Sequence, residues 1–275
     1  MSAWRGLAAL GTGGGSGIGL GLATALGKKG ARIAIAGTNA DRLDAAADAL
    51  RSLGIEALAV PLDVSVAEQW PAARDRVEAA LGPIRFLALN AGVAPPPATI
   101  AQTSPEVWRW SLGVNLWGVI NGLSACLPSM QARRLPSHIM MTASIAALAP
   151  QATMGAYVAA KAGVVGLAEV LRAELAGTPL GCSVMAPAAV RTNIVDTSRR
   201  HTPVDNDSGY AHIATMLANG LDPLRVASHA LERAEAGDFY LLSHGQFRPA
   251  LAERFSALEA AMRHSIEAPS GLPPA

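Results

Sequence analysis

Thr12-Gly13-Gly14-Gly15-Ser16-Gly17-Ile18-Gly19 stands between an apolar run, 7–12, and a segment in which Ile18, Leu22, Ala25 and Leu26 recur at helical spacing. A glycine-rich turn that carries a strand directly into a helix lets backbone amides approach a pyrophosphate, and the helix N-terminus adds a favourable partial charge. A flexible linker has a similar composition, but a linker would not join these two apolar patterns. The stretch reads as the first strand-to-helix turn of a dinucleotide-binding fold.

Outward from it, short apolar runs alternate with longer alanine-rich segments of helical character, the pattern of βαβ units and a parallel sheet. Strands are expected near 7–12, 32–36, 57–62, 86–90, 139–143, 183–186 and 239–242, with helices between them and a last helix near 250–263. The fold class is therefore α/β: a doubly wound, Rossmann-type parallel sheet of about seven strands with helices on both faces. Pro61 cannot donate a ladder hydrogen bond, which suits an edge strand, and in the order 3-2-1-4-5-6 the third strand is the edge. Residues 1–266 are expected to form a single catalytic domain, followed at 267–275 by a disordered Pro/Gly/Ser-rich tail. The alternation breaks over 190–221, where Thr, Asn, Ser, Arg and Asp cluster; a long connection past a strand's carboxyl end is expected to lie over the crevice as a substrate loop.

Composition excludes several classes. With 51% hydrophobic and 16% charged residues and a formal net charge of +1, the chain presents no basic face for nucleic acid or anionic lipid. The uncharged stretches 7–27 and 139–160 are crowded with glycine or interrupted by polar residues and proline, so neither reads as a membrane span. The apolar run after Arg5 is too short for a secretory signal, and the cytoplasm is the expected location. Cys126 and Cys182 lack any CxxC or Cys/His spacing and read as small buried apolar residues, and the six histidines show no ligand pattern, so no metal is expected.

Tyr157 and Lys161 carry the chemistry. With three tyrosines and three lysines in 275 residues, about 0.03 chance occurrences of Tyr-x-x-x-Lys are expected. Four residues apart on a helix, the two share a face, and a cation beside a phenol is expected to lower its pKa and give an acid and base usable near neutral pH. Ser144 lies thirteen residues before Tyr157. At the end of the second strand, where an NAD-selective site offers an acid to the ribose 2′-hydroxyl, the chain reads Ala36-Gly37-Thr38-Asn39. Asn39 and Asp41 read as N-cap and first-turn acid of the next helix. No carboxylate repels a 2′-phosphate and no Arg at this corner attracts one, so Thr38 serves either cofactor and NADP is only slightly favoured over NAD.

Taken together these residues resemble the short-chain dehydrogenase/reductase superfamily, in its single-domain branch, over 7–242 or so. Thr12 to Gly19 is similar to the TGxxxGxG cofactor loop, which implies contacts from Gly13, Ser16, Gly17, Ile18 and Gly19. Asp63, next to Val64, matches the acid placed against the adenine, and Asn90-Ala91-Gly92 matches the NAG segment supporting the sheet. Asn115 matches the first member of a catalytic tetrad that Ser144, Tyr157 and Lys161 complete. Pro187 to Thr192 resembles the PGxxxT nicotinamide segment, with contacts implied from Pro187, Val190 and Thr192, but Ala188 stands where glycine is usual.

The resemblance implies an NAD(P)(H)-dependent oxidoreductase acting on a small-molecule ketone, aldehyde or secondary alcohol. Tyr157 would be the general acid/base, Ser144 the donor to the substrate oxygen, Lys161 the partner of phenol and nicotinamide ribose, and Asn115 the holder of a relay water. A catalytically silent NAD(P)-binding scaffold is the alternative; it would have no need of the full Asn/Ser/Tyr/Lys set. Substrate walls are expected from 93–97, Ile145, Gln151, Ala188 and 190–221, with Arg199 and Arg200 as possible anion contacts. The helices around 110–124 and 155–175 carry many small residues, and in relatives the corresponding helices pair, which implies a homodimer or homotetramer.

Overall fold

The seven apolar runs form, in the computed structural model, one fully parallel sheet in the order β3-β2-β1-β4-β5-β6-β7. The structure describes residues 3–204 and 207–264. In chain order the first half comprises β1 (Ala8–Thr12), α1 (Gly17–Lys28), β2 (Arg32–Gly37), α2 (Ala40–Ser52), β3 (Ala57–Pro61), α3 (Gln69–Leu81) and β4 (Ile84–Leu89). The second comprises α4 (Pro105–Leu112), α5 (Gly118–Arg133), β5 (Ser137–Thr142), α6 (Ile145–Leu148), α7 (Gly155–Glu174), β6 (Leu180–Met185), α8 (Ile194–His201), α9 (Asp207–Ala218), α10 (Pro223–Glu235), β7 (Tyr240–Leu241) and α11 (Arg248–Met262).

Period-two alternation divides the strands between two cores. Leu10, Ala34, Ala36, Leu87, Leu89, Ile139, Met141 and Val184 face α3, α5 and α7, whereas Ala9, Ile33, Ile35, Phe86, Ala88, Met140 and Met185 face α1, α2 and α10. Both faces are covered, the condition under which parallel strands read as continuous apolar runs. Pro61 pairs only on its β2 side, opposite Gly37, at the edge expected from its missing N–H.

Three features depart from the sequence reading. Strand β6 starts at Leu180 rather than 183 because it pairs with β5 from Ser137 onward, and neighbour pairing overrides the low strand propensity of Gly181. The 190–221 segment, read as a loop, contains α8 and α9. Cys126 is buried, its thiol pushed up to about 12 by desolvation, but Cys182 is only partly so. The tail at 267–275 lies outside the described residues. Among the described residues, no helix is long and apolar enough to cross a membrane.

Candidate active site

The carboxyl ends of β1, β4 and β5 are stitched by side chains. Thr12 Oγ1 accepts the N–H groups of Asn90 (2.9 Å) and Ala91 (3.0 Å), Asn90 Nδ2 donates to Thr12 O at 3.1 Å, and Thr142 Oγ1 donates to Asn90 Oδ1 at 3.2 Å. Against this floor sits the glycine turn. Gly13 and Gly17 hold left-handed φ angles of 65° and 53°, and a Cβ at Gly13 would fall 3.0 Å from Ala91 Cα. Gly19 packs tighter still, with a Cβ position 2.2 Å from Gly13 O. That glycine closes the turn on its helix and does not line the cleft, unlike Gly13, Ser16, Gly17 and Ile18. The bare loop and the opening of α1 make the cradle a dinucleotide needs.

Ser144, Tyr157 and Lys161 converge beside it. Ser144 follows β5 in an extended conformation and caps α6, its Oγ accepting Ala146 N–H at 3.2 Å. Tyr157 lies in the first turn of α7 and Lys161 one turn on. Lys161 is 3% exposed, and its ammonium donates to Thr142 O at 2.8 Å and lies 6.0 Å from the Tyr157 ring centroid. Asn115 sits at the centre of a π-helical turn, 113–117, between α4 and α5. Such turns recur at functional sites because they displace one residue from the helical ladder. Its amide donates to Val93 O at 2.9 Å and accepts Val93 N–H at 3.1 Å, so Asn115 stands behind the cleft wall rather than in it. A Cβ on Gly92 would lie 2.8 Å from Asn115 Oδ1 and 3.4 Å from Lys161 Nζ; only a glycine fits between them.

The pKa expectation for Tyr157 is overturned. Burial raises the phenol above its ordinary value, and the Ser144 hydroxyl, close enough to donate to the phenolate, only partly opposes it. The reason is geometric: Lys161 is drawn to the Thr142 carbonyl instead of the phenol oxygen, while desolvation acts on the phenolate directly. Burial also pushes Lys161 down to about 8, which leaves it charged at neutral pH.

At the far end of the cleft, Thr38, Asp63 and Val64 line the wall. Asn39 caps α2 by accepting Arg42 N–H at 2.8 Å, as its sequence position implies. Arg42 itself was overlooked in the sequence. A Cβ on Gly15 would meet Arg42 Cγ at 3.3 Å, and the guanidinium donates to Thr197 Oγ1 at 3.1 Å, so a cation does stand at this corner. First-turn side chains lean back toward the helix N-terminus, and that lean was the available signal.

The 190–221 excursion closes on itself where Val190 bridges Leu221. It is latched across the cleft at Ala94, whose N–H donates to Ser198 Oγ (2.8 Å) and whose carbonyl accepts the Tyr210 hydroxyl (3.1 Å). The cleft beneath, about 1070 Å³ with the glycine loop included, is lined by 93–97, Ile145, Gln151 and Ala188 and by part of 190–221, including Ile213, Met216 and Leu217. Arg200 reaches it, whereas Arg199 stacks over the Tyr210 ring at 5.5 Å. Trp110, Met154, Gln246 and Phe247 line it as well and were not anticipated; the last two arrive from the far C-terminal side. Ala188 is not among the residues with positive φ, so the missing glycine imposes no strain.

Residues 7–203 match the family model for short chain dehydrogenases. A C alpha-dehydrogenase from Sphingobium sp. strain SYK-6 is 31% identical over 254 residues, covering 90% of this chain and 83% of that protein. The crystal structure of a short chain dehydrogenase/reductase from Burkholderia phymatum in complex with NAD superposes with a TM-score of 0.89 at 31% identity, over 99% of this chain and 100% of that one. An actinorhodin polyketide ketoreductase variant with NADPH superposes at 0.75 and 28% identity, over 89% and 98%. With a sheet, a cleft and a matched segment spanning most of its length, the chain belongs to the short-chain dehydrogenase family.

Proposed function

We propose that the protein interconverts a ketone or aldehyde and the corresponding alcohol with Tyr157 as general acid/base, Ser144 as donor to the substrate oxygen and Lys161 as their electrostatic support. NAD(P)-dependent oxidoreduction of alcohol and carbonyl groups is the chemistry of the family; the residue roles are our reading. The observation that carries it is the convergence of these three side chains on one cleft wall that continues into the glycine cradle. NAD(P)(H), when bound, supplies or accepts the hydride. Gly13, Ser16, Gly17 and Ile18 would hold its pyrophosphate, Asp63 and Val64 its adenine, Asn90 to Gly92 and Lys161 its ribose, and Pro187, Val190 and Thr192 its nicotinamide.

In the reduction direction, Tyr157 gives its proton to the nascent alkoxide; a pKa raised by burial keeps that proton available at neutral pH. The Ser144 hydroxyl then donates to the phenolate left behind, with the Lys161 ammonium 6.0 Å from the ring centroid as longer-range support. The Asn115 side-chain amide is spent on Val93 and so positions Gly92 and Val93, and Asn115 remains our candidate holder of the relay water. Replacing Tyr157 with Phe tests the reading: cofactor titrations should be unchanged while turnover on a panel of ketones and secondary alcohols falls by about 10² to 10⁴. Full activity in Tyr157→Phe would sink it.

The same corner supports a slight preference for NADP. Thr38 and Arg42 line the cleft where the 36–39 corner carries no carboxylate, and we propose that the guanidinium makes a charge-assisted contact to a 2′-phosphate there. Arg42→Ala should weaken NADPH roughly tenfold more than NADH, about 1.4 kcal/mol, in fluorescence titrations. An equal loss for both would assign preference elsewhere. The substrate we infer is a small molecule with a bulky, mostly apolar body, given Trp110, Ile213, Met216, Leu217 and Phe247 around the pocket. We infer a homodimer or homotetramer in the cytoplasm; Trp117 and Val170 are exposed on the helices that would pair.

A further inference from the structure

Ser243 and His244, just past β7, bring the chain beneath Ala188 and Ala189. The N–H of Ala188 donates to His244 Nδ1 at 3.3 Å, and His244 Nε2 donates to Ala189 O at 3.0 Å. Ser243 Oγ stands 2.8 Å from Nδ1. With Nδ1 accepting from Ala188, the contact to Ala189 O places the ring proton on Nε2. From the other side, Leu221 N–H also donates to Ala189 O, at 3.0 Å, and a Cβ on Gly220 would lie 2.6 Å from the Ala189 carbonyl. Two backbone residues of an irregular segment are thus gripped between a close-packed glycine and an imidazole.

We propose that His244 is a positioning residue that sets the height of 187–192 against the nicotinamide. The inference rests on the reading that this segment faces the nicotinamide. Residues 188 and 189 lie past the end of β6, where no strand ladder fixes them, and these half-buried peptides draw their partners from side chains and neighbouring loops. Here one side chain supplies both a donor and an acceptor to consecutive peptides. Ala189 O also accepts Leu221 N–H beside the Val190–Leu221 bridge, so the grip also holds the base of the 190–221 excursion, which covers the cleft as a lid.

ADP-ribose, which lacks the nicotinamide, separates this role from a merely structural one. Affinities of NADH and ADP-ribose would be measured on wild type and on His244→Ala, His244→Asn and His244→Gln, with circular dichroism verifying the fold. Asn retains an acceptor near Nδ1 and Gln a donor near Nε2. In His244→Ala, NADH should weaken about tenfold, as expected for two lost hydrogen bonds, while ADP-ribose stays within about twofold. Turnover should fall with it, and Asn and Gln should each restore part of the loss. If His244→Ala does not fold, the Asn and Gln variants carry the same comparison. Equal weakening of both ligands, or of neither, in folded protein would overturn the proposal. A wild type that binds NADH no better than ADP-ribose would instead overturn the nicotinamide reading, and this inference with it.

Discussion

The two ends of β5 each bury a basic side chain, and they treat it in opposite ways. At the start of the strand His138 is 9% exposed, with Phe86 stacked on its ring at 5.6 Å, Trp4 edge-on at 5.7 Å and Ser183 Oγ 2.8 Å from Nε2. Gly181 leaves room for the ring, since a Cβ there would meet Nδ1 at 3.2 Å. Desolvation pushes this imidazole down to about 4, and it is neutral at neutral pH. At the other end, Lys161 is buried at least as deeply but remains charged, held to Thr142 O. Burial is similar; the surroundings are not. One group is walled in by rings, whereas the other borders a cleft with a tyrosine and a serine beside it. A buried charge is costly to keep, and it is kept at the end of the strand where a proton must move.

The largest effect that could break this contrast is functional. If one ammonium serves both phenol and ribose as proposed, Lys161→Met should cut turnover by about 10² to 10⁴ and weaken cofactor binding. It should leave the urea midpoint unchanged or raise it, since a desolvated charge is removed. His138→Leu should do the reverse. Ser183 loses its partner, which costs about 1 to 3 kcal/mol of stability, while kcat and KM stay at wild-type values. Loss of activity in His138→Leu at matched folded fraction would erase the distinction between the two ends.

The fold was legible because its signals are local. Apolar runs of strand length, the glycine turn and Pro61 each report on a few neighbouring residues, and the sheet order follows from how such units wind. Tyr157 and Lys161 were legible for the same reason, being one helical turn apart. What escaped was whatever depends on distant chain meeting chain: Arg42 reaching Thr197, His244 under Ala188, Phe247 at the pocket wall. The sign of the Tyr157 shift escaped too. Spacing gives the proximity of a cation, but burial decided the direction, and burial is a property of the whole packed site.

The next effect, in stability, sharpens the contrast through pH. His138 has a folded value of about 4 against an ordinary value of 6.5, so the unfolded chain binds the proton more readily. Its contribution to stability is fully present above about pH 6.5 and is lost as the pH falls toward 4, at up to about 1.4 kcal/mol per unit and roughly 3 kcal/mol in all. Urea midpoints for wild type between pH 7 and 4.5 should fall more steeply than those of His138→Leu, and the two curves should approach one another in acid. Parallel curves would mean that the imidazole takes up its proton equally readily in the folded and unfolded chains, so that burial does not depress it.

The smallest effect concerns what covers the open end. Ala94 is held from above by two lid side chains, Ser198 Oγ accepting its N–H and the Tyr210 hydroxyl donating to its carbonyl, and Tyr210 is 1% exposed. Tyr210→Phe keeps the ring against Arg199 and removes one neutral hydrogen bond, worth about 1 kcal/mol. Ser198 still holds the other side of the same peptide, so the lid should loosen without coming off. If lid closure over bound substrate draws on that bond, KM for the carbonyl substrate should rise about threefold to fivefold, with kcat and cofactor affinity nearly unchanged. The proton-transfer groups on β5 and α7 are untouched by the change, which is why the loss should sit in KM. A fall in kcat comparable to that of Lys161→Met would mean that lid and proton machinery act as one unit, and that the open end of β5 owes its charged lysine to the lid as much as to the cleft.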